Sequence, residues 1–207
     1  MPEIIPYDRA AAVRYAHRWA YGRNPRFYNF DELGGDCTNF ASQCLYAGTG
    51  IMNYMPTYGW YYLSANDRAP AWTGVPYFYN FLTRTEKSAG PFGIQANLRM
   101  LMPGDFAQLR FSYDVFGHTP VIVEVGNPPS LDNILVAAHS QDADYRPLST
   151  YVYQKIRFIH ILGARRQQEE QEPAIPSEEE LILDILDTLP EEQEELLSSE
   201  PEAELQP

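Results

Sequence analysis

The chain contains two cysteines, and only one of them lies where a thiolate would be favoured. Both fall within the segment GGDCTNFASQCLYAG. A cysteine attacks as the thiolate, and the unpaired N–H groups and partial positive charge of a helix N-terminus favour that form. We expect a helix with Asp36 as its N-cap and Gly48 just past its end, which puts Cys37 in the first turn. Cys37 is therefore the candidate nucleophile, whereas Cys44, two turns further along an apolar face, is typical of core packing.

A nucleophilic cysteine needs a base, and two of the four histidines are placed to supply one. His118 opens the apolar run TPVIVEV, and His139 ends the next run, ILVAAHS. If these runs pair as strands across GNPPSLDN, His139 could contact the second nitrogen of His118 and fix its tautomer. Asp142 is a rival for that orienting role, because a carboxylate commonly performs it. No Cys or His pair has the short spacing of a zinc site, so we expect neither a metal nor a cofactor.

The elements that must position these residues follow a helix-first, strand-second order. Helices are predicted at Ala11–Gly22, in the segment that carries Cys37, and near Val75–Leu82. Strands are predicted for the four apolar runs Phe106–Phe111, Thr119–Val125, Asn133–Ser140 and Lys155–Leu162. Gly104 and Asp105 are expected to form a plain turn before the first of these strands. This order predicts an α+β fold, with helices that carry the nucleophile packed on an antiparallel sheet.

Charge divides the chain into a nearly neutral body and an acidic tail. The net charge is −13, but residues 167–207 hold fifteen acidic and no basic residues, which leaves 13 acidic and 15 basic residues in 1–166. We expect one domain over 1–166 without a nucleic-acid surface, and a mostly disordered tail over 167–207. Ser177 and Glu180 form a capping box ahead of LILDILDTL, so a short helix near 177–189 is predicted. That helix would be either a fraying part of the tail or a docking segment for a protein partner.

No apolar run reaches the ~18–20 residues of a membrane span. The first residues, MPEIIPYDRAAAVRYAH, lack the basic and apolar regions of a signal peptide. From these features we expect a cytoplasmic location, or an extracellular one if the start is truncated or export is unconventional.

Several motifs carry a family resemblance when they are taken in chain order. They are GGDCTNFASQCLYAG, GWYY, AWTGVPYFYNFL, GPFG, PGDFAQL, GHTPVIV and LVAAHSQD. Over about residues 5–162 the chain resembles the bacterial putative amidase domain family, which is similar to NlpC-type cell-wall peptidases and more distantly to CHAP amidases. The resemblance implies a papain-like fold and a cysteine hydrolase that cleaves amide bonds, with peptidoglycan peptides as the expected substrate.

The resemblance also implies roles for individual residues. Cys37 matches the nucleophile, His118 the base and His139 the third polar residue on the following strand. Asp142, Tyr28 and Asp36 are the candidate orienting or assisting residues. Two alternatives stay open: a catalytically inactive binding domain on the same fold with the acidic tail as a docking segment, and acyl transfer to an amine in place of hydrolysis.

Overall fold

Helices dominate the first half of the chain and strands the second half in a computed structural model, which describes residues 2–111 and 114–167. The α-helices are α1 Arg9–Trp19, α2 Cys37–Thr49, α3 Pro70–Thr73 and α4 Val75–Leu82. The strands are β1 Glu3–Ile5, β2 Tyr62–Ser64, β3 Asp67–Arg68, β4 Gly90–Ala96, β5 Phe106–Arg110, β6 Val121–Val125, β7 Ile134–Ala138, β8 Ala143–Pro147 and β9 Lys155–Arg166. Short 3₁₀ turns are formed by Leu98–Met100 and Leu148–Thr150. Apart from Gln167, the predicted tail and its helix near 177–189 lie outside the described residues.

One antiparallel sheet organises the fold. Its strands lie in the order β1-β9-β5-β6-β7-β8, and β4 pairs with the free side of β9. The predicted hairpin between the second and third apolar runs is confirmed, since β6 and β7 pair antiparallel with Val121 opposite Ala137. The α+β prediction is therefore confirmed. Every helix in the described residues is too short or too polar to span a bilayer.

The sheet is buried on both faces, which explains why its strands read as nearly continuous apolar runs. On β5, Phe106 packs with the helices, while Ala107 and Leu109 point to a second apolar cluster on the other side. The same alternation places Val121 on the helix side and Ile122 in the second cluster. The sheet thus supports the helix layer, which includes α2.

The end of α2 differs from the sequence prediction. Gly48 lies inside the helix, and the cap is formed by Gly50, whose φ of +63° is left-handed. Gly48 serves close packing instead, because a Cβ there would meet the ring of Tyr7 at a distance no real side chain tolerates. The helix that carries Cys37 is therefore two residues longer than its glycine pattern indicates.

Asp105 is the centre of a buried polar cluster rather than part of a plain turn. Its carboxylate accepts hydrogen bonds from Arg9 at 2.7 Å and from the backbone N–H of Ile161 at 3.0 Å. His160 Nδ1 lies 2.7 Å from the other carboxylate oxygen, to which Met102 N–H also donates. Arg9 begins α1 and Ile161 belongs to β9. Through its contacts with both residues, Asp105 links the helix layer to the sheet.

We expect Asp105→Asn to lower the free energy of unfolding by about 3 kcal/mol, because the fully buried Asp105 loses its charge while the partly buried Arg9 stays in place. Urea denaturation with an unchanged m-value would measure the effect. The control is Asp114→Asn, whose side chain pairs with Arg110 but is fully exposed, so little change is expected. Equal unfolding midpoints for the two variants would contradict the role of Asp105.

Candidate active site

Cys37 follows two glycines whose backbone is left-handed. Gly34 has φ +95° and Gly35 has φ +104°, a conformation that other residues rarely adopt. A Cβ on Gly35 would also lie 3.2 Å from the hydroxyl oxygen of Ser140. That hydroxyl accepts the N–H of Asp36 at 2.6 Å, so the loop is pressed against the turn that follows β7. The glycine pair therefore allows the tight entry into α2 that the sequence predicts.

The carboxylate of Asp36 binds the surroundings of the helix start instead of capping the helix. It makes no capping hydrogen bond to the first turn, contrary to the usual role of an N-terminal Asp. One oxygen accepts the N–H of Phe30 at 2.9 Å and the side-chain amide of Asn39 at 2.8 Å. The other lies 2.6 Å from Nδ1 of His139. Because Asp36 is fully buried, these contacts fix the residue that precedes Cys37.

His139 belongs to this structural cluster, which corrects the expectation that it orients His118. Its Nε2 lies 2.8 Å from the carbonyl oxygen of Trp19, while Nδ1 faces Asp36. Both ring nitrogens are thus engaged, and neither is left for His118. The ring also stacks on Phe40 with centroids 3.9 Å apart. The imidazole is therefore held by Asp36, Trp19 and Phe40, and not by His118.

Cys37 and His118 line the same cavity. Its volume is about 140 Å³, and its lining consists of Gly34, Gly35, Cys37, Phe111, Gly117, His118, Ser140 and Gln141. Three of these residues are glycines, so an extended backbone could approach the sulfur closely. The two residues that the sequence singles out as nucleophile and base are thus brought to one opening.

A second polar link joins the start of α2 to the segment that carries His118. The backbone of Thr119 hydrogen-bonds to the Cys37 sulfur, and the hydroxyls of Thr38 and Thr119 are 3.1 Å apart. Gln108 donates to the Thr119 hydroxyl at 3.3 Å and is itself held by Arg157 at 2.9 Å. The thiol and the imidazole are therefore held on elements that are bonded to each other immediately beside them.

Burial moves the two pKa values apart. It raises the pKa of the Cys37 thiol, although hydrogen bonds from Thr119 and Thr38 oppose the shift. It lowers the pKa of His118 to about 4, and the positive charge of Arg146 contributes in the same direction. At neutral pH the resting site is consequently a neutral thiol beside a neutral imidazole. The helix N-terminus alone does not produce the thiolate that the sequence argument favours, because desolvation outweighs it.

The remaining candidate residues are engaged elsewhere. Asp142 binds Arg23 through both carboxylate oxygens, at 2.9 and 3.0 Å, on the outer side of the loop. Tyr28 is half-exposed, and its carbonyl oxygen accepts a hydrogen bond from Asn39. Neither side chain has a hydrogen bond to His118. Among the described residues, no group of three Cys, His, Asp or Glu side chains is arranged to hold a metal ion.

Two residues that the sequence reasoning missed lie beside His118. Tyr151 is buried with its ring centroid 5.6 Å from that of His118, and the guanidinium of Arg146 lies 3.7 Å over the Tyr151 ring. Arg146 belongs to β8, an edge strand that the sequence analysis did not predict. No local motif marks either residue, because both reach the site only through the pairing of β8 with β7.

Comparisons with known proteins agree with the residue pattern. A family model described as "Putative amidase domain" matches residues 6–162. The chain is 33% identical over 144 residues to "Uncharacterized protein YhbB" of Bacillus subtilis (strain 168). That match covers 68% of this chain but only 43% of the relative's length. No solved structure matches the chain.

Replacing Arg146 by Gln is expected to raise the pKa of His118 above about 4, because the nearby positive charge no longer disfavours the imidazolium. NMR titration of the imidazole C–H signals measures the change. If the reaction needs neutral His118, the acid limb of the rate profile rises to higher pH in the same variant. The control is Arg99→Gln, an exposed substitution that should leave the titration unchanged. An identical His118 titration in wild type and Arg146→Gln would contradict this electrostatic assignment.

His139→Asn is expected to lower the free energy of unfolding by about 2–3 kcal/mol, because the buried Asp36 carboxylate loses its shortest contact. The comparison is His17→Asn, which removes a partly exposed pairing with Asp144 and should cost less than about 1 kcal/mol. Urea unfolding measures both. A His139 variant with wild-type stability but no activity would instead assign His139 to catalysis.

Proposed function

Because the chain belongs to the putative amidase domain family, we propose that it hydrolyses amide bonds with Cys37 as nucleophile and His118 as base. The observation that carries the proposal is the shared cavity, onto which both side chains open at the start of α2. The neutral state of the pair at pH 7 suits it, because an unprotonated imidazole can accept the thiol proton during attack.

In the proposed reaction the Cys37 sulfur forms a bond to the carbonyl carbon while its proton moves to His118. The carbonyl electron pair moves onto oxygen, where N–H groups of the first turn of α2 have no intrahelical partner and can donate to it. His118 then returns the proton to the departing amine as the C–N bond breaks. Water, deprotonated by His118, hydrolyses the resulting thioester and restores the thiol.

The proposed substrate is peptide-like, and the proposed scaffold is papain-like. The chain order supports the scaffold, with a helix that presents the cysteine and an antiparallel sheet that carries the histidine beside it. The three glycines around the cavity suit an extended peptide, whose backbone can pass close to the sulfur. Within that class we propose peptidoglycan peptides, on the likeness of the sequence motifs to cell-wall peptidases.

We expect Cys37→Ala to reduce hydrolysis of purified peptidoglycan at least about a thousandfold, as removal of a nucleophile does in covalent hydrolases. New amino termini released from the substrate measure the activity. Iodoacetamide labelling followed by mass spectrometry should modify Cys37, faster as the pH rises, because burial raises its pKa.

The matched control is Cys44→Ala, which removes a fully buried thiol of the core and should retain both activity and labelling. Equal labelling of the two single variants, or full activity of Cys37→Ala, would contradict the assignment of Cys37 as nucleophile and favour a binding domain. Adding an amine acceptor and analysing the products would separate hydrolysis from acyl transfer.

A further inference from the structure

Two buried polar atoms without hydrogen-bond partners belong to the neighbouring rings of His118 and Tyr151. Within residues 2–111 and 114–167, three buried side-chain nitrogen or oxygen atoms lack a hydrogen bond, and two of them are Nε2 of His118 and the hydroxyl oxygen of Tyr151. The two ring centroids are 5.6 Å apart, and the ring planes are tilted by 43°. Buried polar groups are nearly always bonded, so their adjacency in this place calls for a functional explanation.

The groups expected to bind Nε2 of His118 are committed to other contacts. Both nitrogens of His139 are taken by Asp36 and Trp19, and Asp142 is bound to Arg23. A catalytic imidazole without a partner on its second nitrogen has no preferred tautomer and no fixed ring orientation. The base of the proposed reaction therefore needs an orienting group other than these two.

The side chain of Tyr151 is held in place firmly enough to orient His118. Only 6% of its surface is exposed, and its ring packs in the apolar cluster beneath the sheet with Leu148. The Arg146 guanidinium covers the ring at 3.7 Å, which is a cation–π distance. Arg146 is itself anchored, because its Nε donates to the hydroxyl of Thr150 at 2.8 Å. The ring of Tyr151 is thus held by the apolar cluster and by Arg146 over its face.

We propose that Tyr151 is the positioning residue of His118, with its hydroxyl oxygen accepting a hydrogen bond from Nε2–H through one water. The second ring nitrogen, Nδ1, then keeps its lone pair for the proton of the Cys37 thiol. The part of this inference that concerns Cys37 rests on the proposed function, whereas the tautomer of His118 does not. Tyr151 acts through His118 and makes no contact with the substrate.

Tyr151→Phe tests the inference, because it removes the hydroxyl and keeps the ring that supports Arg146. We expect kcat to fall about tenfold with KM unchanged, part of the range that a well-placed base contributes. Tyr153→Phe is the matched control, since it removes a hydroxyl two residues away in the same apolar cluster and should leave kcat unchanged. In a His118→Ala background, Tyr151→Phe should cause no further loss. An additive loss there would overturn the inference by assigning the hydroxyl to the substrate.

A second readout needs no substrate. In ¹⁵N spectra at pH 7, where His118 is neutral because its pKa is about 4, the wild type should show the Nε2–H tautomer. Tyr151→Phe should move the signals toward a mixture of tautomers, while Tyr153→Phe should not. Unchanged His118 signals in Tyr151→Phe would overturn the inference, whatever the activity. If the wild type hydrolyses nothing but the tautomer shift occurs, the proposed function fails and the positioning role of Tyr151 stands.

Discussion

The buried contact between Asp36 and His139 is the constraint on which the site depends. Its 2.6 Å length joins the residue before Cys37 to the residue after β7, two positions about a hundred residues apart in the chain. A buried carboxylate is costly unless each of its oxygens is bonded, so the loop at Phe30 and the amide of Asn39 must also adopt their observed places. Only with this cluster complete does α2 begin at Cys37 beside the segment that carries His118.

Local patterns were enough to predict the elements that depend on local interactions. The helix Val75–Leu82 and the β6–β7 hairpin follow from periodicity and turn residues, and both are present. β4 was not predicted, because its sequence, GPFGIQA, has low strand propensity. The strand is stabilised by pairing along β9, more than sixty residues later in the chain. β8 was not predicted for a similar reason: it is short, and it depends on pairing with β7.

The same distinction applies within the site. The positions of Cys37 and His118 could be predicted because each depends on one element boundary, a helix start and the approach to a strand. The proposed orienting partner could not be predicted, because it depends on which buried groups surround each imidazole after the sheet closes. His139 and Asp142 had suitable types and spacing, yet Asp36 and Arg23 compete for them at shorter range. Tyr151 follows β8, an edge strand that no sequence pattern predicted.

Burial at the site also bears on the order of events in the proposed reaction. Burial raises the pKa of Cys37 and lowers that of His118 to about 4. Both shifts disfavour transfer of the proton before attack. In the proposed reaction, proton transfer therefore accompanies formation of the carbon–sulfur bond, when the new oxyanion and its N–H donors supply compensating stabilisation. A neutral, buried thiol is also slow to oxidise, so the same burial protects the Cys37 side chain.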